Sequence, residues 1–130
     1  MLTSIFYHKM MIAVVTLFLI STTTLAQSAD DILGKWTNPN NSTTVEVYKK
    51  GETYSAKIIE AKVEKQIGKI LVWGLKYSSK NNEWAEGKIQ KPDMKHSVDC
   101  FIELESYNTL SISGYHGLRI FSSTEKWKRK

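Results

Sequence analysis

Period-two alternation runs through most of this chain and restricts it to folds built from half-buried strands. Val45 and Val47 alternate with Glu46 and Tyr48, and Tyr54, Ala56 and Ile58 alternate with Ser55 and Lys57. Val98, Cys100, Ile102 and Leu104 share one face, with Glu103 and Glu105 on the other. Successive side chains of a strand point to opposite sides, so each run offers one face to a core and one to water. Lys49, Lys50, Gly51 and Glu52 read as a hairpin turn, with Gly51 supplying a positive φ. A polar loop over 78–82, Pro92 with Asp93, and Ser106 to Asn108 punctuate the rest. Between them lie an apolar run over 69–77 with Trp73, and 83–90 with Trp84 and Ile89. Residues 109–114 and 119–129 follow, the last expected to carry Arg119, Phe121 and Trp127 on one strand face. About eight short strands without intervening long helices predict an all-β fold, a small antiparallel up-and-down barrel. Ile59 to Ile67 fits both periods and is expected to be a strand end entering a loop, with one helical turn.

The first 26 residues do not fit this pattern. Lys9 precedes eleven uncharged, mostly apolar residues, 10–20, and Thr24 and Ala26 then place small side chains at a cleavage position. A helix of that length spans only about 16 Å, against roughly 30 Å of membrane hydrocarbon. Residues 1–26 are therefore expected to be a secretory signal peptide, and 27–130 a single domain with no transmembrane segment, exported to the periplasm or outside the cell. No Cys follows the apolar stretch to take a lipid. Beyond residue 26 the chain holds 17 Lys and Arg against 13 Asp and Glu. Export would leave Cys100 oxidisable without a partner, and its place on an apolar face predicts a buried, inert thiol.

Several segments, taken in order, carry a resemblance. They are Asp31 to Trp36, Val45 to Lys49, Tyr54 to Ile58, Trp84 to Ile89, Pro92, Cys100, Leu110 to Tyr115, and Thr124 to Arg129. Together the chain resembles the bacterial exported proteins catalogued as domain of unknown function 2147. The resemblance implies a lipocalin-like, calycin-type β-barrel, with no activity and no catalytic residues. Gly34, Lys35 and Trp36 are also similar to the Gly-x-Trp that opens the first lipocalin strand. In those folds a basic side chain near the carboxyl end crosses the indole, and here Arg129 or Arg119 could supply it. Trp36, Trp127 and Arg129 are thus expected to be structural.

Motifs for chemistry are sparse. His96 and His116 stand beside turns with no ligand-spaced partner, so neither a metal nor a cofactor is expected. No Gly-x-Ser-x-Gly elbow occurs, and Ser113 to Gly117 joins two strands rather than opening a helix. Glu103 and Glu105 read as solvated carboxylates. The chain reads as a non-enzyme and a monomer. The lysines are scattered apart from the tail Lys126 to Lys130, which suits an anionic envelope surface better than nucleic acid. Aromatic residues, at 11%, exceed what a small barrel needs for its plug. Tyr54, Trp73, Trp84, Tyr115 and Arg119 are therefore expected to line a cavity for a small lipophilic or amphipathic ligand. A filled barrel acting as an envelope interaction module is the alternative.

Overall fold

Residues 27–130 are described by the computed structural model; residues 1–26, and with them the expected signal peptide, lie outside the described residues. The alternating runs become eight strands: β1 Gly34–Thr37, β2 Thr43–Lys50, β3 Thr53–Ala61, β4 Ile70–Ser78, β5 Glu83–Ile89, β6 Val98–Ser106, β7 Thr109–Tyr115 and β8 Ser123–Arg129. Each pairs antiparallel with the next, and β1 also pairs with β8 through Trp36 with Arg129 and Thr37 with Lys128. The sheet thus closes into an up-and-down barrel with no free edge. Three short 3-10 segments complete it, Ala29–Ile32 before β1, Glu64–Gln66 between β3 and β4, and Arg119–Phe121 between β7 and β8. The ambiguous stretch resolves as expected, with β3 ending at Ala61 and one tight turn at Glu64–Gln66.

Inward positions carry the core. Trp36, Val45, Tyr54, Ala56, Ile58, Val72, Leu75, Trp84, Cys100, Ile102 and Leu110 are all essentially sealed from solvent. Register shifts interrupt the alternation on several strand pairs, and two of them coincide with a residue of positive φ. On β4, Val72 opposes Ala56 and Leu75 opposes Tyr54, so one extra residue is accommodated, and Gly74 absorbs it at φ 73°. On β5, Trp84 opposes Ile102 and Gly87 opposes Cys100, with Glu86 at φ 60° taking up the excess. Gly87 itself must be small, because a Cβ there would lie 2.5 Å from Leu75 Cδ2 and 3.1 Å from Cys100 Sγ.

The last expected strand is shorter than read from the sequence. Residues 119–121 form a 3-10 turn and β8 starts at Ser123, so Arg119 and Phe121 do not share a strand face with Trp127. Leu118, just before this turn, and Ile120 within it have their side chains exposed to solvent.

Candidate functional site

Up-and-down topology gives the barrel two different ends. At one end lie the short turns after β2, β4 and β6, together with the Ala29–Ile32 segment. At the other lie the four longer connections, 38–42, 62–69, 90–97 and 116–122.

The first end is shut. Ile32 is fully buried beneath it, and the inward aromatic side chains hold the plug by their polar tips. Trp84 Nε1 donates to the Ala29 carbonyl at 2.9 Å, Trp36 Nε1 to the Ile32 carbonyl at 2.9 Å, and Tyr77 Oη to the Gln27 carbonyl at 3.0 Å. Tyr54 Oη donates to Asp30 Oδ1 at 2.5 Å. Burial, reinforced by that bond and the carboxylate's charge, pushes the Tyr54 phenol up to about 12. Arg129 seals the seam. Its guanidinium lies 4.2 Å from the Trp36 ring centroid and 4.3 Å from that of Tyr107, between two aromatic faces. It donates to the carbonyls of Leu33, Asp31 and Tyr107 at 2.9, 2.8 and 2.8 Å. Gly34 makes this approach possible: it sits at φ 122°, and a Cβ there would meet Arg129 Nη1 at 3.1 Å.

The second end is open, and a pocket of about 270 Å³ enters the barrel there. Its apolar wall is Ile89, Val98 and Ile112, with Met94 and Phe121 at the rim. Its charged pair is Glu125, which faces inward opposite Ile112 on β7, and Lys91, whose ammonium bonds Glu125 Oε1. Trp127, two residues along the same inward face, donates from Nε1 to Glu125 Oε2 at 3.3 Å. Glu125 is therefore anchored from a strand and held on both oxygens, whereas Lys91 reaches in from a connection. Such a site can take an apolar body and exchange one charged contact for a ligand head. Beneath it the inward side chains pack solidly, so the barrel is filled at the closed end and hollow at the mouth.

The five residues expected to line the cavity are not brought together. Tyr54 and Trp84 lie inside but are committed to the plug. Trp73 opposes Lys88 on β5, whose side chain is exposed and paired with Asp99, so the indole faces outward. Tyr115 reaches the pocket rim, while its strand position opposite Asp99 is an outward one. Arg119 is outside altogether. It lies 4.2 Å over the Phe101 ring and donates from Nη1 to both Glu83 oxygens at 2.9 and 3.0 Å, clamping the 116–122 connection to the barrel wall. The role of crossing the Trp36 indole falls to Arg129 alone. Sequence reading missed Glu125, Lys91, Met94 and Ile112 as a group. The signal for Glu125 was present, because counting back two residues from Trp127 puts it on the inner face.

Among the described residues, no group of three or more His, Cys, Asp or Glu is placed to hold a metal ion. Likewise no helix among them is long and apolar enough to cross a membrane. Cys100 is fully buried, and burial raises its thiol to about 12, far from the thiolate form.

A family model described as "Uncharacterized protein conserved in bacteria (DUF2147)" matches residues 34–129, which is the barrel from its first strand to its last. No curated protein matches. A solved structure titled "Protein HP1028 from the human pathogen Helicobacter pylori belongs to the lipocalin family" superposes with a TM-score of 0.62 at 14% identity, covering 76% of this chain and 82% of that one. At that identity the likeness is one of fold, a lipocalin-like barrel.

Proposed function

The chain belongs to the DUF2147 family of uncharacterised bacterial proteins, and from that premise we propose that it carries a small lipophilic or amphipathic molecule without transforming it. The observation supporting this reading is the pocket that enters the barrel mouth between inward-facing Ile89, Val98 and Ile112, above the packed closed end. A volume of about 270 Å³ falls just below the range of ligand pockets, roughly 300 to 1,000 Å³, so a short acyl chain or one ring system fits and a whole phospholipid does not. The fixed polar group is a carboxylate, Glu125, so the favoured head is a hydrogen-bond donor such as an amine or hydroxyl that displaces Lys91. A carboxylate head would instead have to draw Lys91 away from Glu125.

Action outside the cytoplasm is part of the same reading and rests on the apolar stretch of residues 10–20. Native mass spectrometry of protein isolated from its own cells tests the carrier reading, followed by titration with medium-chain alkylamines, alcohols and fatty acids. Binding should perturb Trp127 fluorescence and raise the melting temperature, with amines and alcohols ahead of acids. Glu125→Leu should abolish that order. No co-purifying molecule, together with unchanged fluorescence and melting across the panel, would overturn the reading.

A further inference from the structure

Charge and apolar exposure are both concentrated at the open end. The four connections there, 38–42, 62–69, 90–97 and 116–122, hold Lys62, Lys65, Lys69, Lys91, Lys95 and Arg119 against only Glu64 and Asp93. The rest of residues 27–130 carries eleven basic and eleven acidic side chains, so the net charge of the barrel domain resides on this one rim. Lys62, Lys65, Lys69 and Lys95 make no ion pair among the described residues. Interleaved with them are large apolar side chains turned to solvent. Val63, Ile67 and Ile70 lie on and beside the 62–69 connection, 50%, 47% and 39% exposed. Leu118, Ile120 and Phe121 on the 116–122 connection are 66%, 82% and 75% exposed. The strand order puts these two connections on opposite sides of the mouth.

We propose that the open end is a docking face for an anionic lipid bilayer, with the apolar tips of the 62–69 and 116–122 connections entering the interface and the surrounding lysines meeting lipid headgroups. Basic side chains ringed around aliphatic and aromatic ones form the pattern that binds such an interface, because hydrocarbon burial and attraction to anionic headgroups add. A second copy of the chain is disfavoured as the occupant, since two such rims would repel face to face. Nucleic acid would use the lysines but leave the apolar tips in water. The carboxyl-terminal lysines are no substitute. Lys126 pairs with Glu105 at 3.3 Å, Lys130 with Glu60 at 2.8 Å, and Arg129 is spent on the plug. Docking here would point the pocket at the membrane, but the proposal does not require the pocket to hold a ligand.

Co-sedimentation of the chain Gln27–Lys130, which contains the whole closed barrel and its plug, with lipid vesicles tests this. Vesicles containing phosphatidylglycerol should bind at least about tenfold more protein than pure phosphatidylcholine vesicles, and added salt should weaken the binding. Leu118→Asp with Ile120→Asp, neither of which lines the pocket, should reduce binding by about tenfold, as should Lys65→Glu with Lys69→Glu. A cooperative melt checks that each variant folds. Lys126→Glu with Lys128→Glu should bind like the parent. Equal binding to both vesicle types, indifference to the apolar and rim substitutions, or an equal loss from the tail substitutions would overturn the proposal. Self-association abolished by the Leu118 and Ile120 substitutions would overturn it in favour of a second copy.

Discussion

Replacing Arg129 with alanine should cost the barrel about 3 kcal/mol, and the structure lets that figure be assembled from parts. The guanidinium contacts two ring faces, Trp36 and Tyr107, each worth roughly 0.5–1 kcal/mol at a site that water still reaches. Its bond to the Leu33 carbonyl is part-buried, and a charged donor there contributes about 1–2 kcal/mol. The bonds to the Asp31 and Tyr107 carbonyls are exposed, and water replaces each for a loss of roughly 0.5 kcal/mol. These terms share one side chain and do not add fully, which argues for about 2–4 kcal/mol overall. In a domain of this size that is a fall of roughly 10–20 °C in Tm. Urea unfolding followed by Trp fluorescence and far-ultraviolet circular dichroism measures it, provided the m-value stays constant. Arg129→Lys keeps the charge but loses the fork that serves three carbonyls at once, so it should recover less than half of the loss. A loss below about 1 kcal/mol for alanine, or full recovery by lysine, would refute the clamp as described.

Other consequences are simpler to check. Trp36→Ala should cost roughly 3–5 kcal/mol by equilibrium unfolding, as a fully buried indole removed from the closed end. Gly87→Ala should cost about 1–3 kcal/mol, since the added methyl meets Leu75 and Cys100 in a wall that is already full. Tyr54 and Cys100 both hold their protons more tightly in the folded barrel, with folded values of about 12 against ordinary values of 10.0 and 9.0. The native state therefore binds more protons than the unfolded state in this range. That stability is fully present below pH 9.0 and declines as pH rises toward 12, which alkaline titration of the urea midpoint should show. A thiol reagent at neutral pH should label Cys100 only at the rate of unfolding. Mass spectrometry of the protein from fractionated cells should find a chain beginning at Gln27 outside the cytoplasm.

Alternation was enough to place β2, β3, β6 and β7, with their turns and much of the core, because in a closed barrel each strand has one dry and one wet face. The Gly-x-Trp element was legible only as a resemblance, and the structure supplies its reason, since a glycine two residues before a buried indole leaves room for the guanidinium that covers it. The candidate site was less legible. Trp73 sits in an apolar run, Ile70 to Trp73, in which both faces look alike, and only its register against Lys88 turns it outward. The bulges at Gly74 and Glu86 reset the alternation without any change in hydrophobicity. Phe101 is buried on the outside because Arg119 folds back over it, a contact between residues far apart in sequence that periodicity cannot register. The aromatic surplus that pointed to a lined cavity is divided instead: Tyr54 and Trp84 join Trp36 and Tyr77 in binding the plug by their polar tips, while Trp73 and Tyr115 sit on outward strand positions.

The Arg129 clamp also dictates when the molecule can exist. Its bonds to Leu33 and Asp31 join residues 96 and 98 positions apart, and β1 pairs with β8 across the same seam. A chain in which residue 129 has not yet docked has an open sheet with two bare edges and an unlatched plug. Folding is therefore gated by the last few residues to emerge, and such long-range closure is slow, on the order of milliseconds to seconds. Once the arginine arrives, the barrel becomes a ring with no loose end from which to unravel.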